Sequence, residues 1–342
     1  MYLPQTTENH PALSRKERGK GVVRGLLFSE MKNKEDKLEK LKLEMEINPE
    51  ELSLSLKDFI HKYTEKLERE GVILGLSGGI DSAVVAALCK KAVGEKNTLA
   101  LIMPEKDSKK EHIKDALNFA KQLGIKTKLI DITPYLEKIG VYKLFPLSNL
   151  FFKSLKEKLV RKAYSYYQKK TKITPFVSSM VGLKNKEFSS FLKKGNAYYR
   201  IKHRMRMLLL YFYGELENRL VIGAANKTEY KIGFFVKHGC DAAVDAMPLL
   251  NLYKTQIRKL ARYLNVPSKI IEKQPSPDII PGIDDEQVLT IPYEKLDLIL
   301  LALDEGWDTC EIAYVLKIDE KKVIEVKNLI EASEYMRKVF HP

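Results

Sequence analysis

The run LGLSGGIDSAVVAAL, residues 74–88, constrains this chain more than any other stretch because it joins a strand, a tight turn and a helix start. Val72, Ile73, Leu74 and Leu76 form a short apolar stretch suited to a strand buried on both faces. Gly78 and Gly79 carry no Cβ, so the backbone there can bend and present its N–H groups to an anion, while Ser77 and Ser82 add hydroxyls. Residues 81–92 read as a helix whose N-terminal N–H groups and positive dipole end point at the same spot. No lysine follows the glycines, so this is not the Walker arrangement GxxxxGK[ST].

From Pro49 onward, strands and helices alternate. The pattern predicts a helix to about residue 70, strand 72–76, helix 81–92, strand 98–103, helix 108–123 and strand 126–131, then helix 197–216, strand 219–223 and helix 253–264. Such alternation predicts an α/β fold with a doubly wound parallel sheet and helices on both faces. Ligands of such sheets bind beyond the carboxyl ends of strands. SGGIDS, MPEKDS and GAANKTE all lie at predicted strand ends, so three loops are expected to converge on one crevice.

At 342 residues with 44% hydrophobic residues, the chain can bury a full core. It contains no apolar run of membrane-spanning length, and its first 30 residues show no signal-peptide core, so a cytoplasmic setting away from membranes is expected. Cys89, Cys240 and Cys310 are far apart and lack CxxC spacing, which indicates neither a disulfide framework nor a zinc motif. Cys89 and Cys310 are expected in the core, and His61, His112 and His341 at the surface.

Residues 1–47 read as an N-terminal appendage, with 31–47 charged and helix-like and with Met31 and Met45 as alternative translation starts. Residues 48–342 form the main domain, with Asn48 and Pro49 placed to begin its first helix and helices expected over 293–342. The net charge is +14, and the excess is local: residues 143–206 carry 17 basic residues against Glu157 and Glu187. This basic insertion, at about 143–195, also holds Tyr164, Tyr166, Tyr167, Phe176, Phe188 and Phe191. That mixture suits a nucleic acid or a polyanionic nucleotide, and equally a solvated helical face with core aromatics.

SGGIDS resembles the pyrophosphate loop of ATP pyrophosphatases, which cleave ATP between the α and β phosphates. GAANKTEYKIGFFVKHGCDAAVDAMPLLNLYKTQIRKLARYLNVP and PSPDIIPGIDDEQVLTIPYEKLD are similar, in combination, to the NAD synthase family. The resemblance runs from about Pro49 to the C-terminus. It implies an adenine nucleotide α-hydrolase-like fold, a homodimer, and ATP-dependent amidation of nicotinic acid adenine dinucleotide through an acyl-adenylate, releasing AMP and pyrophosphate.

By that resemblance Ser77, Gly78, Gly79, Asp81 and Ser82 hold the phosphates of the co-substrate ATP, and Asp81 and Glu229 bind Mg²⁺. Met103 borders the adenine or is a core methionine, and Arg204 contacts ATP. Lys254 faces the reacting phosphates and carboxylate. Asp241 falls where a carboxylate can hold ammonium and accept its proton. Lys237, Asp245 and Ser276 are the implied contacts to the dinucleotide. A fused glutaminase needs a domain far larger than residues 1–47, so free ammonia or a separate glutaminase is expected as the nitrogen source.

The sequence also departs from the family. Arg200 stands where Asn is usual, His203 replaces a small residue, Ala224 follows Gly223, and Cys240 is inserted before Asp241. Ala242 and Ala243 replace glycines, and Tyr335 and Met336 replace a His and Lys pair. These positions bear on the acceptor more than on ATP handling. A nucleophilic Cys240 is not required, because adenylation needs no thiol. Two rival classes are an RNA-modifying ATP pyrophosphatase that uses the basic insertion as a tRNA platform, and a non-catalytic protein of the same fold. In the second, GWDTCEIAYVLKIDEKKVIEVKNLI would read DNA as a helix-turn-helix, although its lack of an arginine-rich face favours a helical cap.

Overall fold

The computed structural model describes residues 34–145, 153–181, 186–274 and 283–341. Helix α1 (34–44) precedes α2 (Pro49–Lys66), β1 (Gly71–Gly75), α3 (Ile80–Val93), β2 (Thr98–Ile102), α4 (Lys110–Leu123) and β3 (Lys126–Leu129). After α5 (Thr133–Ile139) and a 3₁₀ turn (Val141–Leu144) come α6 (Lys153–Thr171), α7 (Pro175–Val181) and α8 (Lys186–Leu216). The chain then forms β4 (Arg219–Ile222), α9 (Lys227–Lys231), α10 (Lys254–Tyr263), α11 (Ser268–Ile271) and α12 (Asp285–Leu289). It ends in α13 (Tyr293–Asp304), α14 (Thr309–Leu316), α15 (Glu320–Ala332) and α16 (Glu334–Arg337).

The four strands are all parallel in the order β3-β2-β1-β4, with Val72 paired to Thr98 and Gly71 to Arg219. The period-2 alternation divides each central strand between two cores. Val72 and Leu74, Ala100 and Ile102, and Leu220 and Ile222 pack with α2, α3, α4 and α10. Ile73, Leu99, Leu101 and Val221 face α5 and α8. The expected doubly wound sheet is therefore present. β3, written KTKL, is an exposed edge whose lysines discourage further strand pairing. The order reverses at β1, with β2 on one side and β4 on the other, and this switch point is where the loops after β1 and β4 diverge.

Asn48 caps α2 as its spacing predicts, accepting from the Glu50 and Glu51 N–H groups. α8 begins at Lys186, inside the basic insertion and about three turns upstream of the predicted start at 197, because neither Gly195 nor any proline stops it. Within the insertion, Tyr164 and Tyr167 are buried, Phe176 and Phe188 half-buried, and Tyr166 and Phe191 exposed, so its aromatics divide between packing and display. Cys89 is buried as expected. Cys310 is exposed instead, at the start of α14, where its thiol donates to Glu320 at 3.0 Å. α14 and α15 form a packed pair with Ile312, Val315, Val323 and Val326 inward, which is the helical cap arrangement.

The stretch 34–47 does not behave as an appendage. Leu41 and Met45 are buried in the second core among α13, α14 and α15, and Gln256 on α10 reaches the Met45 carbonyl. A translation start at Met45 would remove this packing. Leu41→Ala is expected to cost about 2–5 kcal/mol of stability by thermal denaturation, as for other fully buried leucines; an unchanged transition would show that α1 is dispensable.

Candidate active site

The loop after β1 is held in shape by its own hydroxyls. Ser82 Oγ donates to the Gly79 carbonyl at 3.0 Å and accepts the Ser77 N–H at 3.2 Å, while Gly79 N–H donates to Ser77 Oγ at 3.2 Å. Gly78 has φ +82°, and a Cβ there would meet the His112 carbonyl oxygen at 2.3 Å, so only glycine fits. Lys273 fastens the turn, donating to the Gly78 carbonyl at 3.0 Å while paired with Asp115. No side chain caps α3, and its first turn, from Ile80 to Ser82, lines a cavity of about 430 Å³. Uncapped N–H groups at a helix start suit phosphate oxygens.

Lys254 sits at the centre of the polar wall. Its ammonium donates to Asp81 at 2.6 Å and to Glu229 at 3.0 Å. Asn226, the N-cap of α9, accepts the Glu229 N–H at 2.9 Å and donates to the other Asp81 oxygen at 3.2 Å. Buried Asp297 fixes the backbone on both sides, accepting from the Thr228 hydroxyl at 2.6 Å and the Thr255 N–H at 2.8 Å. The Lys254 N–H donates in turn to Thr228 Oγ1 at 3.0 Å. The segments after β1 and β4 are thereby locked to the start of α10 and to α13.

Asp285, at the start of α12, faces the same group and accepts from the Tyr293 hydroxyl at 2.9 Å. Burial works against the Lys254 ammonium, but Asp81, Glu229 and Asp285 outweigh it and hold the lysine charged well above its ordinary range. Burial likewise raises Glu229, with Asp81 and Asp285 adding to the rise and Lys254 opposing it. Asp285 is pushed up to about 6, mainly by burial. Three carboxylates against one ammonium leave an excess of negative charge beside the phosphate-type loop.

The loop after β2 is fastened by a buried ion cluster. Lys202, from α8, donates to Glu105 at 2.9 Å and Asp107 at 3.2 Å. Tyr142 donates to Glu105 at 2.7 Å and Tyr198 to Asp107 at 2.6 Å, and the Lys202 ammonium lies 4.2 Å from the centre of the Tyr198 ring. Arg206, also from α8, donates to the Met103 carbonyl at 3.1 Å and holds it at the mouth of β2. Met103 both lines the cavity and packs in the core, so the two readings of its sequence position coexist.

Among the residues expected to form the site, Ser77, Gly79, Asp81, Ser82, Met103, Glu229, Asp241 and Lys254 meet around this one cavity, with Gly78 shaping the loop. Arg204 lies off the cavity wall, exposed and donating to the Lys237 carbonyl. Lys237 donates to the Tyr335 and Lys338 carbonyls, and Asp245 accepts from the Val221 N–H and the Tyr211 hydroxyl, so neither reaches the cavity within this chain. Ser276 lies outside the described residues. The cavity-facing arginines are Arg200 and Arg206. Leu192, Asn196, Tyr199, His203 and Arg206 recur every three or four residues on one face of α8, and Arg204 falls off that face. That spacing was the signal that separates them. His112, expected at the surface, lines the cavity beside Gly78, and Asp285 and Lys273 were not anticipated.

The remaining wall is built by the insertion, with Tyr164 from α6, Phe176 from α7 and Phe191 from α8. Opposite them, His203 Nδ1 lies 2.9 Å from Asp241 and 3.6 Å from Cys240 Sγ. Burial works against the Asp241 carboxylate, but His203 keeps it below the ordinary carboxylate range.

This architecture has close relatives. An NH₃-dependent NAD⁺ synthetase of Thermotoga maritima is 44% identical over 83% of this chain and 96% of its own length. That of Methanocaldococcus jannaschii is 35% identical over 84% and 94%. Among solved structures, an NMN synthetase of Francisella tularensis superposes with a TM-score of 0.63 at 27% identity, covering 87% of this chain and 99% of that one. An NH₃-dependent NAD synthetase of Campylobacter jejuni gives 0.59 at the same identity and over 87% and 99%. Residues 52–146 and 152–340 match the NAD synthase family model, and this chain belongs to that family.

Proposed function

We propose that the protein amidates nicotinic acid adenine dinucleotide to NAD with ATP and ammonia. The observation that carries this reading is Lys254, held between Asp81 of the SGGIDS turn and Glu229 of α9, the helix that follows β4. The turn and first turn of α3 bind the phosphates. Lys254 neutralises charge where the acceptor carboxylate oxygen attacks the α-phosphorus and the bond to the β-phosphate oxygen breaks. Pyrophosphate leaves and an acyl-adenylate remains. Asp241 holds ammonium and takes its proton, and the freed ammonia attacks the acyl carbon, releasing AMP. The apolar wall from α6, α7 and α8 keeps water from the adenylate.

The donor set fits Mg²⁺. Asp81 and Glu229 offer hard carboxylate oxygens in a region of excess negative charge, and such a cation takes one or two carboxylates plus phosphate oxygens. When bound it would supply charge neutralisation on the phosphates. A homodimer is supported by Leu208, Phe212 and Leu216, an exposed stripe at four-residue spacing on α8 that carries Arg204 at its end. A partner seated there would bring Arg204 and the Tyr211 and Asp245 pair into an interface. The basic insertion is read as part of the cavity wall rather than an RNA platform. The setting is read as cytoplasmic, and no described helix is long and apolar enough to cross a membrane.

The test supplies ATP, Mg²⁺, ammonium and, in parallel, nicotinic acid adenine dinucleotide or the corresponding mononucleotide. The expected result is NAD, AMP and pyrophosphate in equal amounts, with the dinucleotide preferred. ADP as the main product would overturn the mechanism, and preference for the mononucleotide would overturn the acceptor. Asp81→Ala and Glu229→Ala are each expected to remove most pyrophosphate release; a folded variant near the parent rate at saturating Mg²⁺ would refute that residue's role.

A further inference from the structure

The fold brings His203 and Cys240 together with Asp241. The atoms are His203 Nδ1, Cys240 Sγ and the two Asp241 oxygens. Nδ1 lies 2.9 Å from Oδ2 and 3.6 Å from Sγ, and Sγ lies 3.6 Å from Oδ1. One ligand atom from each residue lies within 4.8 Å of the other two. For a tetrahedral zinc ion with Zn–S of about 2.3 Å and Zn–N and Zn–O of about 2.0 Å, the ligand atoms would stand about 3.3–3.6 Å apart. With every pair of these atoms within 4.8 Å, no separation has to close by more than about 1.5 Å to enclose one.

The arrangement is built by the backbone. Cys240 N–H donates to the His203 carbonyl at 3.2 Å, tying the loop to α8. Gly239 permits this approach, since a Cβ there would lie 3.0 Å from His203 Cβ. All three residues line the cavity, so a metal held by them keeps one coordination position open to it.

We propose that His203, Cys240 and Asp241 form a zinc-binding site on the cavity wall, distinct from the Asp81 and Glu229 pair. Zn²⁺ is the cation these ligands select, because thiolate and imidazole favour it over Mg²⁺, and one thiolate with one carboxylate balances its charge. The Cys240 thiol passes its proton to solvent as the Zn–S bond forms, and no oxidation occurs. Bound zinc would occupy the Asp241 carboxylate and so block amidation, a consequence that rests on the general-base reading of Asp241 given above.

The test titrates Zn²⁺ calorimetrically into the full-length protein after chelator treatment, with Mg²⁺ in excess, and repeats it on Cys240→Ala and His203→Ala. One zinc per chain is expected, bound at least about tenfold more weakly by each variant. Co²⁺ is then added as a spectroscopic probe, and a thiolate-to-cobalt charge-transfer band is expected in the parent and absent in Cys240→Ala. No stoichiometric zinc, or equal affinity and an unchanged cobalt spectrum in Cys240→Ala, would overturn the site. Amidation is measured alongside, with each protein compared with its own metal-free rate. Inhibition by zinc that Cys240→Ala relieves supports the proposal, whereas stoichiometric zinc with an undiminished rate supports the site and overturns the general-base role of Asp241.

Discussion

Lys254→Met is expected to lower the rate of pyrophosphate release by about 10²–10³, the loss seen when one preorganised donor to a developing charge is removed. The substitution keeps the length of the apolar stem and deletes the only ammonium within hydrogen-bonding distance of both Asp81 and Glu229 among the described residues. Those carboxylates, with Asp285, then repel one another. Stability measured without divalent cation should fall, and Mg²⁺ should restore more of it than it adds to the parent protein, since a ligand of the folded state stabilises by mass action. Rates within a few-fold of the parent would remove Lys254 from the chemistry. Equal Mg²⁺ stabilisation of both proteins would mean that Asp81 and Glu229 do not attract the cation.

The largest expected effect on stability lies at Lys202→Met. Lys202, Glu105 and Asp107 are buried together, with side-chain exposures of 2%, 1% and 9%. Removing the ammonium strands two carboxylates and should cost roughly 3–5 kcal/mol, a fall in thermal midpoint on the order of 10 °C. Because the same cluster holds the segment after β2, the KM for ATP should rise in whatever fraction remains folded. Adding Glu105→Gln and Asp107→Asn should recover part of the loss by taking away the stranded charges. A triple variant no better than Lys202→Met would show that packing around the stem, rather than charge, sets the effect.

The strands and the SGGIDS turn were legible because each is a local signal. A strand buried on both faces reads as an unbroken apolar run, and Gly78 is demanded by its own positive φ and the His112 carbonyl against it. Glu229 and Lys254 were reachable through motif resemblance, although what joins them, Asp297 and the two threonines, is a contact across more than 40 residues that no local pattern encodes. The same holds for Lys202 with Glu105, separated by 97 residues. Motif position points to Arg204 but does not carry helix phase, and it is Arg200 and Arg206 that line the cavity. The burial of Leu41 was hidden by the charged residues around it, which cover the solvent side of α1. Cys310 shows the reverse error: a small hydrophobe in a helix is not thereby inward, since the first turn of α14 turns it to solvent.

The acyl-adenylate is the centre of the account, and isotope transfer tests it most directly. Nicotinic acid adenine dinucleotide labelled with ¹⁸O in its carboxylate is converted with ATP and ammonium, and the AMP is examined by mass spectrometry. Attack of the carboxylate oxygen on the α-phosphorus requires that one labelled oxygen leave with AMP at each turnover. AMP carrying one ¹⁸O is the predicted result; unlabelled AMP, or label appearing in inorganic phosphate beside ADP, would contradict it.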